Sequence, residues 1–202
     1  MTNITLRESH PSDLPGLYRI CHATALNGDD ASPSVPDPEL IGHSYVGPYA
    51  VLEPEHCFIA LRGPRIVGYI VAAPDSTAFH LKCEALWFPA LRSRYPQPPA
   101  DDLSPTARFI RTLHLGHQPS SRIDPAAYPA SLHIDLLPEA QNQGVGRRLM
   151  ARLFEKLKES HVAGVHLYVG LANVKAIGFY ERIGFKCLDD APMARGYGTT
   201  LS

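Results

Sequence analysis

The stretch SLHIDLLPEAQNQGVGRRLM, residues 131–150, decides the fold. Leu132 to Leu137 alternates as a strand, and the segment Gln143 to Glu159 is amphipathic, with Leu149, Leu153 and Leu157 on one stripe of a helix. Gly144 and Gly146 stand where that helix begins. Each costs roughly 0.5–1 kcal/mol relative to alanine inside a helix, so helix formation alone does not call for them. A strand that runs directly into a helix start exposes unpaired backbone N–H groups, to which the helix dipole adds partial positive charge. Glycines let that backbone approach a phosphate with no Cβ in the way, and Arg147 and Arg148 add charge at the rim. A tight turn that binds nothing would use the same residues.

Outward from this stretch the pattern continues in both directions. Val165 to Val169 is strand-like and closes a β-α-β unit; Val174 to Ile183 reads as a helix, Phe185 to Leu188 as a strand and Tyr197 to Leu201 as a short last strand. Toward the N-terminus, Ile4 to Arg7 alternates like a strand, and Pro11-Ser12-Asp13 opens a helix carrying Leu14, Leu17, Tyr18 and Cys21. Residues 27–38 form a loop rich in Pro, Asp, Ser and Gly ahead of a short helix from Glu39 to Tyr45. Cys57 to Leu61 and Ile66 to Ala72 flank Arg62-Gly63-Pro64-Arg65 as an antiparallel hairpin. Residues 75–129 are the least regular: Phe79, Leu81, Cys83, Leu86, Trp87 and Leu91 suggest one helix ending near Tyr95-Pro96, and a second runs from Ala107 to Leu115. We read them as a helical insertion within one domain spanning 1–202.

The composition narrows the function classes. A formal net charge of −1 leaves no electrostatic footprint for nucleic acid. Cys21, Cys57, Cys83 and Cys187 lie far apart in apolar settings, which suits buried free thiols in a reducing cytoplasm better than disulfides or a metal site. The N-terminal residues carry no signal-peptide core, and no run of about 18 apolar residues occurs, so no membrane is expected as a partner. Neither G-x-x-x-x-G-K-[ST] nor G-x-G-x-x-G with a distal acid is present.

The string QNQGVG resembles the Q/R-x-x-G-x-G/A signature of the GNAT-type N-acetyltransferases, and NVKAIGFYERIGF resembles that family's second motif roughly 30 residues on. The resemblance implies a GNAT fold, α/β, with a mixed central sheet of about six to seven strands flanked by helices and the insertion preceding the cofactor-binding β-α-β unit. LYRIC, DPELIGHSYVGPY, HCFIAL, GYIVAAPD and LWFPALRSRYPQP resemble the acetyltransferase-like C-terminal domain of the eukaryotic O-GlcNAcase. That domain lacks the glycine turn, and its likeness implies that a branch of the family keeps the fold without the cofactor.

The implied activity is transfer of an acetyl group from acetyl-CoA to a primary amine of a small molecule or peptide. The alternative is a non-catalytic acyl-CoA-binding or protein-interaction module. By resemblance, the coenzyme A pyrophosphate sits on Gln141, Asn142, Gln143, Gly144, Val145, Gly146 and Arg147, with Asn142 tolerated because Asn adopts left-handed turns. Leu136 and Leu137 offer backbone to the pantetheine arm. Asn173 contacts the cofactor or only caps the following helix. Tyr180 matches the tyrosine that protonates the leaving thiolate. Asp135, on the strand face opposite Ile134 and Leu136, is the first candidate for the base, with His133 beside it and Glu139 as a loop-side alternative. Acceptor specificity falls to Asn27 to Tyr49 and to Trp87, Arg92, Arg94 and Tyr95 of the insertion. Asp29, Asp30 and Asp37 are candidates to attract a cationic amine, and the insertion's aromatics alternatively suit a homodimer contact.

Overall fold

The computed structural model describes residues 3–117 and 122–201, so a short part of the 75–129 insertion lies outside it. In chain order the elements are β1 (Ile4–Glu8), α1 (Leu14–Thr24), α2 (Gly42–Tyr45), α3 (Gly47–Leu52), β2 (Cys57–Arg62), β3 (Arg65–Ala73), α4 (Ser76–Leu86), α5 (Phe88–Arg94) and α6 (Pro105–Leu115). There follow β4 (Ala130–Leu136), α7 (Val145–Glu159), β5 (Gly164–Gly170), α8 (Val174–Arg182), β6 (Lys186–Asp190) and β7 (Ala194–Thr200). The strands make one seven-stranded sheet in the order β1-β2-β3-β4-β5-β7-β6. All neighbours are antiparallel except β4 and β5.

Each face of the sheet carries its own apolar cluster. On one face, Leu149, Met150, Leu153 and Leu157 of α7 and Tyr180 of α8 bury against Leu132 of β4 and Val165, Leu167 of β5. The α7 stripe puts those residues inward, while Lys156 and Lys158 in its last turn suit the negative end of the helix dipole. On the other face, Leu17 and Ile20 of α1 pack with Ile41, Tyr49 and Tyr69 and with Phe79, Cys83, Phe88 and Leu113 of the insertion helices. The insertion therefore shares a core with the N-terminal half. Among the described residues no helix is long and apolar enough to cross a membrane.

Several boundaries differ from the sequence reading. The single helix through Phe79 to Leu91 is two, α4 and α5, with Trp87 between them. Pro89 has no N–H for an α-helical bond, and its ring would press on the Ala85 carbonyl. Leu81 and Leu86, read as part of that helix's apolar pattern, are exposed. The helix expected from Glu39 to Tyr45 is a turn, then α2, then a separate α3 that Pro48 opens. Helix α7 starts at Val145 instead of Gln143, because residues 141–144 are spent on the turn before it. The final strand begins at Ala194, where it pairs with Gly170 of β5. Cys21, Cys57 and Cys83 are buried free thiols, but Cys187 is exposed because β6 is the sheet's outer strand.

Candidate active site

The parallel pair at the centre of the sheet is short. β4 and β5 pair only at Ala130 with Val165 and Ser131 with His166, after which the strands part. On its other side β4 remains bonded to β3 through Gly68 and Leu136, and the Leu137 N–H donates to the Val67 carbonyl at 2.9 Å. Peptide groups along a strand alternate in direction, so those of Ile134 and Leu136 turn toward the gap left by β5. Of the two expected backbone contacts, Leu136 faces the gap and Leu137 does not, since its N–H is already used on the β3 side. Ile134 faces the gap as Leu136 does.

The gap opens into a cavity of about 210 Å³. One wall comes from the α1 to α6 face: Thr24, Asn27, Ile41, Tyr45 and Phe109. The opposite wall comes from α8: Asn173, Ala176 and Tyr180. His133 and Asp135 of β4 lie between them.

At the start of α7 the backbone does what its sequence implies. Asn142 has φ +57° and Gly144 φ +73°, so both residues are left-handed. A Cβ on Gly144 would meet nothing within 4 Å, which leaves the conformation itself as the reason for glycine there. Gly146 has a different reason: a Cβ would stand 3.1 Å from Phe179 and 3.4 Å from Leu136, so its absence lets α7 lie close on α8 and β4. No backbone acceptor among the described residues meets the N–H groups from Asn142 to Arg147. Those from Gly144 to Arg147 are the orphan donors of the α7 N-terminus, and Asn142 and Gln143 precede them in the turn. Gln141 donates from its amide to the Leu136 carbonyl at 2.9 Å, tying the turn to the gap. The Gln143 amide donates to the Glu139 carbonyl at 2.6 Å and its oxygen accepts from Arg62, so its side chain stiffens the loop. Arg147 is exposed at the helix start, whereas Arg148, expected beside it at the rim, donates to the Ile4 carbonyl of β1 at 2.9 Å.

Among the described residues lining the cavity Asp135 is the one charged side chain, and burial pushes its carboxyl up to about 6 against the opposing hydrogen bond of Tyr69. Tyr69 sits directly across from Asp135 in the β3–β4 register and donates its hydroxyl to Oδ2. Neither Tyr69 nor Thr24 was singled out from the sequence, because strand register brings Tyr69 there and the packing of α1 on the sheet brings Thr24. His133 is held between the rings of Tyr45 and Tyr49, and burial, with nearby His117, lowers it to about 3. It is a neutral spacer at physiological pH. Tyr180 is buried on the α8 side, its phenol raised by burial and by the Asp135 carboxylate. Asn173 accepts from the Ala176 N–H at 3.1 Å as the cap of α8 and also lines the cavity.

The remaining candidates lie elsewhere. Glu139 pairs with Arg65 at 2.8 Å outside the cavity. Arg92 forks onto Glu84 at 2.6 and 2.8 Å, Arg94 meets Glu39 at 2.7 Å, and Tyr95 donates to Asp37 at 2.7 Å. The Trp87 indole donates to the His43 carbonyl at 2.8 Å. Asp30 accepts from Ser32, and Asp29 is bridged to Leu26 through its backbone. Trp87, Arg94 and Tyr95 clamp the insertion to the early region through His43, Glu39 and Asp37. Within the early loop region and the insertion, expected to set specificity, Asn27, Ile41, Tyr45 and Phe109 reach the cavity.

Comparison with known proteins agrees with this geometry. Residues 122–185 match the acetyltransferase (GNAT) family. The rat (Rattus norvegicus) protein O-GlcNAcase is 27% identical over 190 residues, 94% of this chain but 20% of that protein, so the chain spans about a fifth of its length. The [ribosomal protein bS18]-alanine N-acetyltransferase of Escherichia coli K12 is 38% identical over 63 residues, 31% of this chain and 40% of that enzyme. The crystal structure of SsHAT superposes with a TM-score of 0.91 at 34% identity, covering 99% of both chains. With the split strands and the left-handed turn before α7, these likenesses place the chain in the GNAT acetyltransferase family.

Proposed function

We propose that the chain transfers an acetyl group from acetyl-CoA directly to a primary amine. The observation that carries the reading is the two-residue pairing of β4 with β5, which leaves a gap with Asp135 on one face and Tyr180 on the other. Acetyl-CoA, when bound, supplies the activated thioester. The N–H groups from Asn142 to Arg147 and the helix dipole of α7 hold the pyrophosphate, and the open peptide edge of Ile134 and Leu136 receives the pantetheine arm and donates to the acyl oxygen. Asp135 takes the proton of the incoming ammonium, with Tyr69 fixing its rotamer. Tyr180 gives its proton to the departing sulfur as the C–S bond breaks, and the second proton that the nitrogen loses on becoming an amide restores the phenol. The high affinity of its phenol for that proton keeps it loaded at every working pH, and its burial excludes the water that would compete. Base and acid thus serve the two ends of the bond exchange without meeting.

The experiment that tests the reading follows thiol release from acetyl-CoA with and without an amine, in wild type and in Tyr180→Phe. Tyr180→Phe is expected to lower kcat by about 100-fold, at the low end for a lost general acid, with acetyl-CoA affinity unchanged. An unchanged kcat would remove Tyr180 as the acid.

The rate should also follow the base. Asp135 faces Thr24 and Cys21 of α1, Tyr69 of β3, His133 of β4 and Tyr180 of α8. Of these groups, the Asp135 carboxyl is the one that titrates near neutrality. A general base works deprotonated, so kcat/KM is expected to rise about tenfold per pH unit below about 6 and to level off above it. A limb that instead tracks the amine's own pKa would mean that the free amine is selected from solution without help from Asp135.

A further inference from the structure

Resting on that reading, we infer that the acceptor is a slim primary amine on an apolar, ring-bearing stem, with no second charge near the amine. The acceptor side of the cavity is built from Ile41, Tyr45 and Phe109, with the rings of Tyr45 and Phe109 edge to face at 6.3 Å. The Tyr45 ring also meets His133 of β4 edge to face at 5.4 Å, which holds it in the wall. An aromatic stem gains from such a wall through both area and ring geometry.

Charge selects as strongly as shape. Among the described residues Asp135 is the one ionisable carboxylate on the cavity wall, and no described Lys or Arg side chain lines it. An amine bearing a carboxylate beside the nitrogen would set a second negative charge near Asp135 with no cation to meet it. Arginines that sequence proximity would offer are taken: Arg92 by Glu84, Arg94 by Glu39, and Arg111 by the carbonyls of Pro99 and Asp102. A second ammonium fares no better, since Asp37 is held by Tyr95 and Glu39 by Arg94. The 210 Å³ of the whole cavity lies below the roughly 300–1,000 Å³ of drug-sized ligand pockets, which leaves room for one narrow stem.

The test compares 2-phenylethylamine, phenylalanine and spermidine as acceptors at saturating acetyl-CoA, with acetylated product identified by mass and acetyl-CoA binding measured separately by calorimetry. Phenylethylamine is expected to exceed phenylalanine in kcat/KM by roughly 100-fold, as a site rejects a buried unpaired group. Phe109→Ala should raise the KM for phenylethylamine roughly tenfold while acetyl-CoA still binds. Equal use of phenylalanine, or faster use of spermidine, would overturn the acceptor assignment while leaving the acetyl-transfer reading in place. Turnover of none of the three with acetyl-CoA bound would also overturn the acceptor assignment, and absence of turnover with every other amine as well would overturn the reading beneath it.

Discussion

Asp135→Asn is expected to lower kcat/KM about 1,000-fold, within the range for loss of a general base. The substitution keeps shape and keeps an acceptor for the Tyr69 hydroxyl, so it removes the proton-accepting function without opening a cavity. Stability separates the chemical role from a structural one. The carboxyl of Asp135 is raised from 3.8 to about 6 on folding, so between those values the folded chain holds the proton more tightly than the unfolded chain. Stability contributed by the protonated form is full below the unfolded value and is lost as pH rises through about 6. By the same shift, the ionised group at pH 8 costs about 3 kcal/mol. Asn carries no such cost, so the variant's Tm at pH 8 should equal or exceed that of wild type while its activity collapses. A loss of activity matched by a fall in Tm would make Asp135 a structural residue, and activity within tenfold of wild type would place the base elsewhere.

Gly144→Glu carries the second large effect: acetyl-CoA affinity is expected to fall by at least about 100-fold. Two costs combine at this position. A side chain at φ +73° is strained by about 1–2 kcal/mol, and a carboxylate at the N-terminus of α7 stands where the pyrophosphate charge should be. Gly144→Ala separates them, because its Cβ meets nothing within 4 Å and it brings only the conformational cost. Alanine should keep affinity within about tenfold of wild type. Equal losses in the two variants would assign the effect to the turn's conformation and not to anion binding.

Much of this site is legible in the sequence because it is local. The left-handed turn at Asn142 and Gly144, the β-α-β unit around it, the Asn173 cap and the inward phase of Asp135 each depend on residues a few positions apart. What stayed hidden depends on register between distant strands and helices. Tyr69 reads as an apolar residue of a buried strand, and only its pairing with Asp135 makes it a partner of the base. Ile134 faces the gap and Leu137 does not, because peptide direction is fixed by bonding to Val67, 70 residues before Leu137 in the chain. Arg92, Arg94, Tyr95 and Asp37 looked like acceptor contacts by type, yet each is consumed by a neighbour from another segment. Pro89 is the exception: the break between α4 and α5 was visible locally and was outweighed by the apolar pattern around it.

The central claim is that acetyl-CoA lies in the gap between β4 and β5 with its phosphates at the start of α7. Hydrogen–deuterium exchange of the wild-type protein with and without acetyl-CoA tests it most directly. Exchange is expected to slow in peptides covering Ile134 and Leu136 and in those covering Asn142 to Arg147, with β1 and β6 unchanged. No protection at either segment, or protection confined to other parts of the chain, would contradict it.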